Sequence, residues 1–203
     1  MANVVNRTAV PLLILYSVNT PDYPESEWII NPDLTILETV PIHYIKIVGD
    51  LLVEMTPEEK AVVDAAELIV YKADIVRQCC AAREAKIEYG TGAEYPDGYY
   101  ISTTDKDQGR WLYWQSIGGK WASLGMSFPF LVHSRDGSTY VEITRAQDFT
   151  AVVEAIGVHV TTLFNEAETV IQNVLAATTI AGVDSASSEY IASAPQIESL
   201  ITE

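Results

Sequence analysis

The chain has 203 residues, of which 12 are Lys or Arg and 28 are Asp or Glu, giving a formal charge of −16. A polyphosphate or an anionic membrane surface needs a basic patch to release its counterions, and no stretch gathers one, so neither nucleic acid nor membrane is expected as a partner. With 48% hydrophobic and 20% charged residues, the composition is that of a folded chain of one or two small domains.

Residues 1–55 read as a strand-rich module broken by proline. Extended segments are expected at 9–16, 28–30 and 42–53, and Gly49-Asp50 splits the last into a hairpin of 42–48 against 51–54. The apolar run at 10–16 contains Pro11 and is far short of the roughly 20 residues that span a bilayer. Arg7 is its only flanking cation and no small-x-small site follows, so it does not read as a signal peptide.

At Thr56 the period changes. Thr56-Pro57-Glu58-Glu59 combines an N-cap Thr, a first-turn Pro and a Glu at the third helical position. A long helix is expected over 56–90, ending at Gly90-Thr91-Gly92 and running roughly 48 Å at 1.5 Å per residue. Along it Val62, Ala66, Ile69, Ala73, Val76, Cys80, Arg83 and Ile87 recur at spacings of four and three, which is a heptad stripe. The adjacent Cys79 and Cys80 cannot staple distant parts of a fold, and synthesis in a reducing cytoplasm fits them.

Residues 91–143 return to an aromatic, β-branched composition and predict a second antiparallel unit. Its strands are expected at 98–104, 110–115, 120–124, 128–133 and 139–143, with a hairpin turn at Ser134-Arg135-Asp136-Gly137-Ser138 and another at Gly118-Gly119-Lys120. Thr144-Arg145-Ala146-Gln147 has the form of a capping box and opens a second helix over 144–178. Val153, Ile156, Val160, Leu163, Ala167, Val170, Val174 and Ala177 form its stripe. Residues 179–203, small and polar with Ile191, Ile197, Leu200 and Ile201, read as a docking tail or a short terminal helix.

The fold class expected is therefore α+β: two small strand-rich units joined and followed by long heptad-patterned helices that form a coiled-coil oligomer. Val62, Ala66, Ile69, Ala73, Val76 and Cys80 on the first helix, and Val153, Ile156, Val160, Leu163, Ala167 and Val170 on the second, would make the interface. An antiparallel pairing of the two helices within one chain is the structural rival.

No catalytic constellation emerges. His43, His133 and His159 stand apart from metal-ligand spacing, and neither G-x-S-x-G nor H-E-x-x-H occurs, so no metal and no cofactor are expected. Asp105-Lys106-Asp107-Gln108-Gly109 lacks the third acid and distal Glu of a calcium loop and reads as a solvated turn. The aromatics Tyr99, Tyr100, Trp111, Tyr113, Trp114 and Trp121 either fill the core of a small sheet or leave a sugar-stacking or protein-binding face, with Trp111, Trp114 and Trp121 as the ligand surface. A polysaccharide-degrading enzyme using Asp105, Asp107 and Asp136 is a further alternative, since glycosidases need only a carboxyl pair at the right separation.

Residues 27–67 carry Trp28, Ile30-Asn31-Pro32-Asp33-Leu34, Val40-Pro41, Tyr44, Lys46-Ile47-Val48-Gly49-Asp50, Val53-Glu54-Met55-Thr56-Pro57-Glu58-Glu59-Lys60 and Val63-Asp64-Ala65-Ala66. This segment resembles the N-terminal module of tailed-bacteriophage structural proteins, in which a short hairpin runs into such a helix; Ile45 stands where that pattern usually has Trp. Residues 99–175, with Ser102-Thr103-Thr104-Asp105, Arg135-Asp136-Gly137, Val141-Glu142-Ile143-Thr144, His159-Val160, Phe164 and Glu166, are similar to a domain of phage tail and tail-fibre proteins. The resemblance implies a virion component of the tail, baseplate or fibre-attachment region with no enzymatic residues, made in the host cytoplasm. It also implies symmetric assembly, commonly a trimer, with other virion tail proteins as further partners; a host surface glycan is the partner expected if Trp111, Trp114 and Trp121 form a ligand surface. A neck or head adaptor or a decoration protein is the alternative placement.

Overall fold

The computed structural model describes residues 2–9, 12–96 and 98–195, with Pro21 described for its backbone alone. The chain is mixed α+β, 55% helical and 17% strand, with four helices among the described residues and only small antiparallel sheets. It divides into two compact units, Met1–Val70 and Tyr71–Glu203.

In the first unit, β1 (Ala2–Asn6) lies between β2 (Ile14–Val18) and β3 (Trp28–Ile30) in an antiparallel sheet. Val4 and Val5 point to opposite faces and are both fully buried, so this central strand is covered on both sides. The strand expected at 9–16 begins only at Ile14, and residues 10 and 11 lie outside the described residues. The hairpin β4 (Ile45–Val48) and β5 (Leu51–Glu54) pairs Val48 with Leu51 and Ile45 with Glu54, and Gly49 supplies the left-handed φ of +64° that its two-residue turn requires. Residues 42–44 form a single 3-10 turn after Pro41 and do not extend the strand.

The helix start follows from local hydrogen bonding. The Thr56 N–H donates to Glu59 Oε2 (2.8 Å) and the Glu59 N–H donates to Thr56 Oγ1 (3.4 Å), the reciprocal capping box. Helix α1 (Pro57–Tyr89) follows. Its residues 57–70 are tied to the hairpin by Lys46 Nζ donating to Glu59 Oε1 (2.5 Å) and Tyr44 Oη donating to Asp64 Oδ1 (2.6 Å), while Ile45 is buried.

In the second unit, residues 71–89 of α1 are followed by the short hairpin β6 (Ala93–Glu94) and β7 (Tyr100–Ile101), helix α2 (Asp105–Ile117), the hairpin β8 (Phe130–His133) and β9 (Tyr140–Ile143), and helices α3 (Ala146–Ala176) and α4 (Ile180–Ala192). The strand expected at 110–115 is helical, and the segment expected as strand at 120–124 lies in two 3-10 turns, which also take up Gly118-Gly119-Lys120. The physical reason is a second cap: Thr104 Oγ1 accepts the Asp107 N–H (3.2 Å), two acids sit in the first turn, and Trp111, Trp114 and Ile117 recur every three residues on one helical face packed into the core. Of the tail, residues 180–192 form α4, whereas Ile197, Leu200 and Ile201 lie outside the described residues.

The core of this unit joins Ile101, Trp111, Trp121, Val141, Ile143, Phe149, Val152 and Ile156. Further along the helices, α1 buries Ile75, Cys79, Ala82 and Ile87, α3 buries Leu163, Ala167 and Val174, and α4 buries Val183, Ser187 and Tyr190. Polar contacts fix these helices together. Arg83 lies 4.1 Å over the Phe164 ring, Lys86 lies 3.8 Å over the Tyr190 ring, and Lys72 Nζ donates to the Leu175 carbonyl (2.7 Å).

Candidate functional site

The expected interface residues divide by burial. In the first unit Val62, Ala66 and Ile69 are exposed, Val62 and Ile69 each at 69%, and Val70 beside them at 71%. Spacings of four and three keep Val62, Ala66 and Ile69 in one line on the helix surface. This is an aliphatic stripe in water, which a monomer gains nothing by presenting.

In the second unit the stripe is corrected. The buried row of α1 over its middle turns is Ile75, Cys79 and Ala82, one residue before the expected Val76, Cys80 and Arg83, whereas Ile87 at the end of the expected stripe is buried; Ala73 is exposed, and Val76 and Cys80 are half-buried. On the second helix Ile156, Leu163 and Ala167 are buried within the chain, and Val153 and Val160 pack against its aromatic core. These residues are occupied by intrachain packing and are not free to meet another copy. Val170, half-buried, is no open seam either.

The expected tryptophan surface is likewise core. Trp111 and Trp121 are each 2% exposed. Trp114 is half-buried, set edge-on to Trp111 at 5.0 Å and to Phe130 at 5.0 Å. Phe149 draws the rings together, with Trp121 at 5.0 Å, so their area goes to packing and not to a ligand.

Among the titratable groups, His43 and His133 are exposed and stack on Tyr44 (4.1 Å) and Tyr140 (4.3 Å). Burial pushes His159 down, and its Nε2 has no hydrogen-bond partner among the described residues. Among those residues no three His, Cys, Asp or Glu side chains gather where they could hold a metal ion. Asp105 is exposed at the start of α2, and Asp107 is held by Thr104 and by Arg110 Nη1 (2.7 Å). Asp107 and Asp136 line different cavities.

The cavity at Asp136, about 810 Å³, has all its described lining residues in the second unit. Three tyrosines line it, Tyr89 at the end of α1, Tyr99 before β7 and Tyr100 in β7, and each is more than a third exposed. Their backbone is pinned: the Tyr99 carbonyl accepts the Tyr95 N–H (2.7 Å) and the Tyr100 carbonyl accepts the Arg135 N–H (2.7 Å). Arg135 Nη1 donates to Ser102 Oγ (3.0 Å) and Nη2 donates to the Glu88 carbonyl, which fastens the β8–β9 turn to the end of α1.

In that turn Asp136 accepts from Ser134 Oγ (2.6 Å), Ser138 Oγ (2.6 Å) and the Ser138 N–H (3.0 Å). These bonds hold its carboxyl down at about 2, so it is ionised at any ordinary pH. Asp136 is the one carboxylate among the described lining residues. The cluster thus pairs amphipathic rings with a fixed acceptor. Sequence reasoning found the Asp-Gly turn and counted Tyr99 and Tyr100 among the aromatics, but missed Tyr89, which lies ten residues earlier in the helical stretch.

No protein-family model, curated protein or solved structure matches the chain.

Proposed function

We propose that this protein is a non-enzymatic structural component of a tailed-phage virion, at a tail fibre, baseplate or fibre-attachment point, which self-assembles through residues 57–70 of α1 and docks on other tail proteins. The observation that carries the assembly step is the exposed line of Val62, Ala66 and Ile69. The virion placement rests on the sequence resemblance over residues 27–67 and 99–175.

Burying Val62 or Ile69 against another copy contributes on the order of 1.5–3 kcal/mol per side chain at most. The spacing of four then three puts Val62 and Ile69 at d-type positions and Ala66 at an a-type position. Two-stranded coils take Leu at d, so β-branched residues there favour a higher order, in line with a trimer.

The test is the molar mass of the full chain by light scattering over a range of concentrations. The expected result is about three times 22.3 kDa, falling to a single chain's mass in the double variant Val62→Asp/Ile69→Asp. Both positions are exposed, so the variant keeps its fold, which circular dichroism checks. Val160 is unsuitable for this purpose because it packs against the core. A wild-type monomer at every concentration, or a double variant of unchanged mass, overturns the assembly step.

A further inference from the structure

The geometry points to the cavity lined by Tyr89, Tyr99, Tyr100 and the 134–139 turn as a binding site for a neutral oligosaccharide. Its parts are those that a pyranose ring demands. The C–H face of a sugar is apolar and packs on an exposed aromatic ring, while its hydroxyls, directed outward in the ring plane, need acceptors and donors at the edge. Here three rings stand exposed in one concavity. None of them is taken up by a ring contact among the described residues, in contrast to the tryptophans packed in the core.

The polar edge is prearranged. Two serine hydroxyls and an amide fix Asp136; Oδ1 accepts two of these bonds and Oδ2 one, which leaves Oδ2 as an oriented acceptor for a ligand O–H group, and the Thr139 N–H is bonded to Ser134 Oγ (3.2 Å) within the same turn. The backbone bonds at Tyr99 and Tyr100 fix the chain that carries two of the rings, so the ordering cost of binding falls on the side-chain torsions alone. About 810 Å³ accommodates a short oligosaccharide.

Charge selects among sugars. Arg135, the one cation among the described lining residues, gives one N–H to Ser102 and one to the Glu88 carbonyl, which hold it on the turn. The ionised Asp136 and the chain's net −16 repel sialic acids, uronic acids and phosphorylated sugars. Asp136 is the one carboxylate among the described lining residues and serves here as a hydrogen-bond acceptor for the ligand. A proline-rich peptide also lies well on tyrosines, but it brings no O–H donors for Asp136.

The inference is independent of the assembly reading, since none of its residues belongs to the 57–70 stripe. The test is saturation-transfer NMR and titration calorimetry on the full chain, with maltotriose, N-acetylglucosamine trisaccharide, a galactose trisaccharide and a fucosylated trisaccharide as neutral probes. Sialyllactose and a proline-rich decapeptide are the competing probes. The expected result is saturation of pyranose C–H protons in at least one neutral probe. Affinity should fall tenfold or more in Tyr99→Ala and again in Asp136→Asn, with near-ultraviolet circular dichroism unchanged. Tyr99→Phe, which keeps the ring, should retain most of the affinity and so separates stacking from misfolding. Binding of none of the neutral probes, binding of sialyllactose or the peptide alone, or affinity unaffected by Tyr99→Ala and Asp136→Asn would each overturn the proposal.

Discussion

Replacing Asp148 by Asn isolates the device that starts α3. The carboxylate is buried, and a single oxygen, Oδ2, accepts from the Thr144 N–H (2.9 Å), Thr144 Oγ1 (2.9 Å) and the Arg145 N–H (3.1 Å), while Oδ1 accepts from Arg145 Nε (3.0 Å). An Asn oxygen can keep the first three, but as neutral bonds, and a charge-assisted bond outweighs a neutral one by roughly 0.5–1 kcal/mol. The Arg145 pair adds little, because its side chain is 73% exposed. The favourable placement of a negative charge at a helix N-terminus is lost as well. The expected cost is about 2 kcal/mol, or about 4–8 °C in the melting temperature for a chain of this size. Burial pushes the Asp148 carboxyl up, but the hydrogen bonds from Arg145 and Thr144 outweigh it and hold the group below its ordinary value of 3.8. Its stabilisation is therefore present above pH 3.8 and lost as pH falls through the lower folded-state value. Thermal unfolding followed by circular dichroism should show a constant gap between wild type and Asp148→Asn from pH 7 to 5, closing below pH 3.8. Equal melting temperatures at pH 7, or a gap that persists undiminished in acid, would refute this reasoning.

The Tyr190 hydroxyl is buried without a hydrogen-bond partner among the described residues, and burial pushes its pKa up to about 12. Tyr190→Phe removes that unpaired group and keeps the ring under Lys86, so it should raise stability by about 1 kcal/mol; a lower melting temperature would mean that the hydroxyl has a partner. Gly92 has φ +84°, and a Cβ there would sit 2.2 Å from the Ile101 carbonyl oxygen. Gly92→Ala should cost roughly 3 kcal/mol or more by urea unfolding, against about 1–2 kcal/mol for Gly98→Ala, where φ is +83° but no atom lies within 4 Å; equal costs would show that the clash relaxes freely.

What the sequence made legible was what short-range chemistry dictates. The Thr56 capping box, the Gly49-Asp50 and Asp136-Gly137 turns and the two long helices each depend on neighbours within a few residues. Even there a detail shifted: α3 starts one residue later, with Arg145 at the cap and Asp148 closing the box, where Gln147 was expected to do so. Helix α2 was hidden because its Trp and Tyr content suits strands, although the spacing of Trp111, Trp114 and Ile117 is helical and Thr104-Asp105-Lys106-Asp107 is a cap. The phase of the buried face was legible on α3, where Ile156, Leu163, Ala167 and Val174 of the expected stripe are buried, but on the middle of α1 it was not. Ile75 and Val76, Cys79 and Cys80, Ala82 and Arg83 offer adjacent rows of similar character at their apolar positions, and only the tertiary partners choose between them.

One heptad pattern along α1 therefore has two fates. Where the chain supplies its own partners, in residues 71–89, the row that turns inward is Ile75, Cys79 and Ala82, and the cations beside it are engaged by Phe164, Tyr190 and the Leu175 carbonyl. In residues 57–70 the polar side chains reach the hairpin at Tyr44 and Lys46, while Val62 and Ile69 are left in water. A heptad repeat is thus a statement about apolar surface, and whether that surface is closed by the same chain or by another is settled by what else folds beside it. It follows that substitutions at Ile75, Cys79 or Leu163 report on folding alone. Those at Val62 and Ile69 test the proposed association apart from stability, because an acidic side chain at an exposed position removes apolar surface without emptying a core.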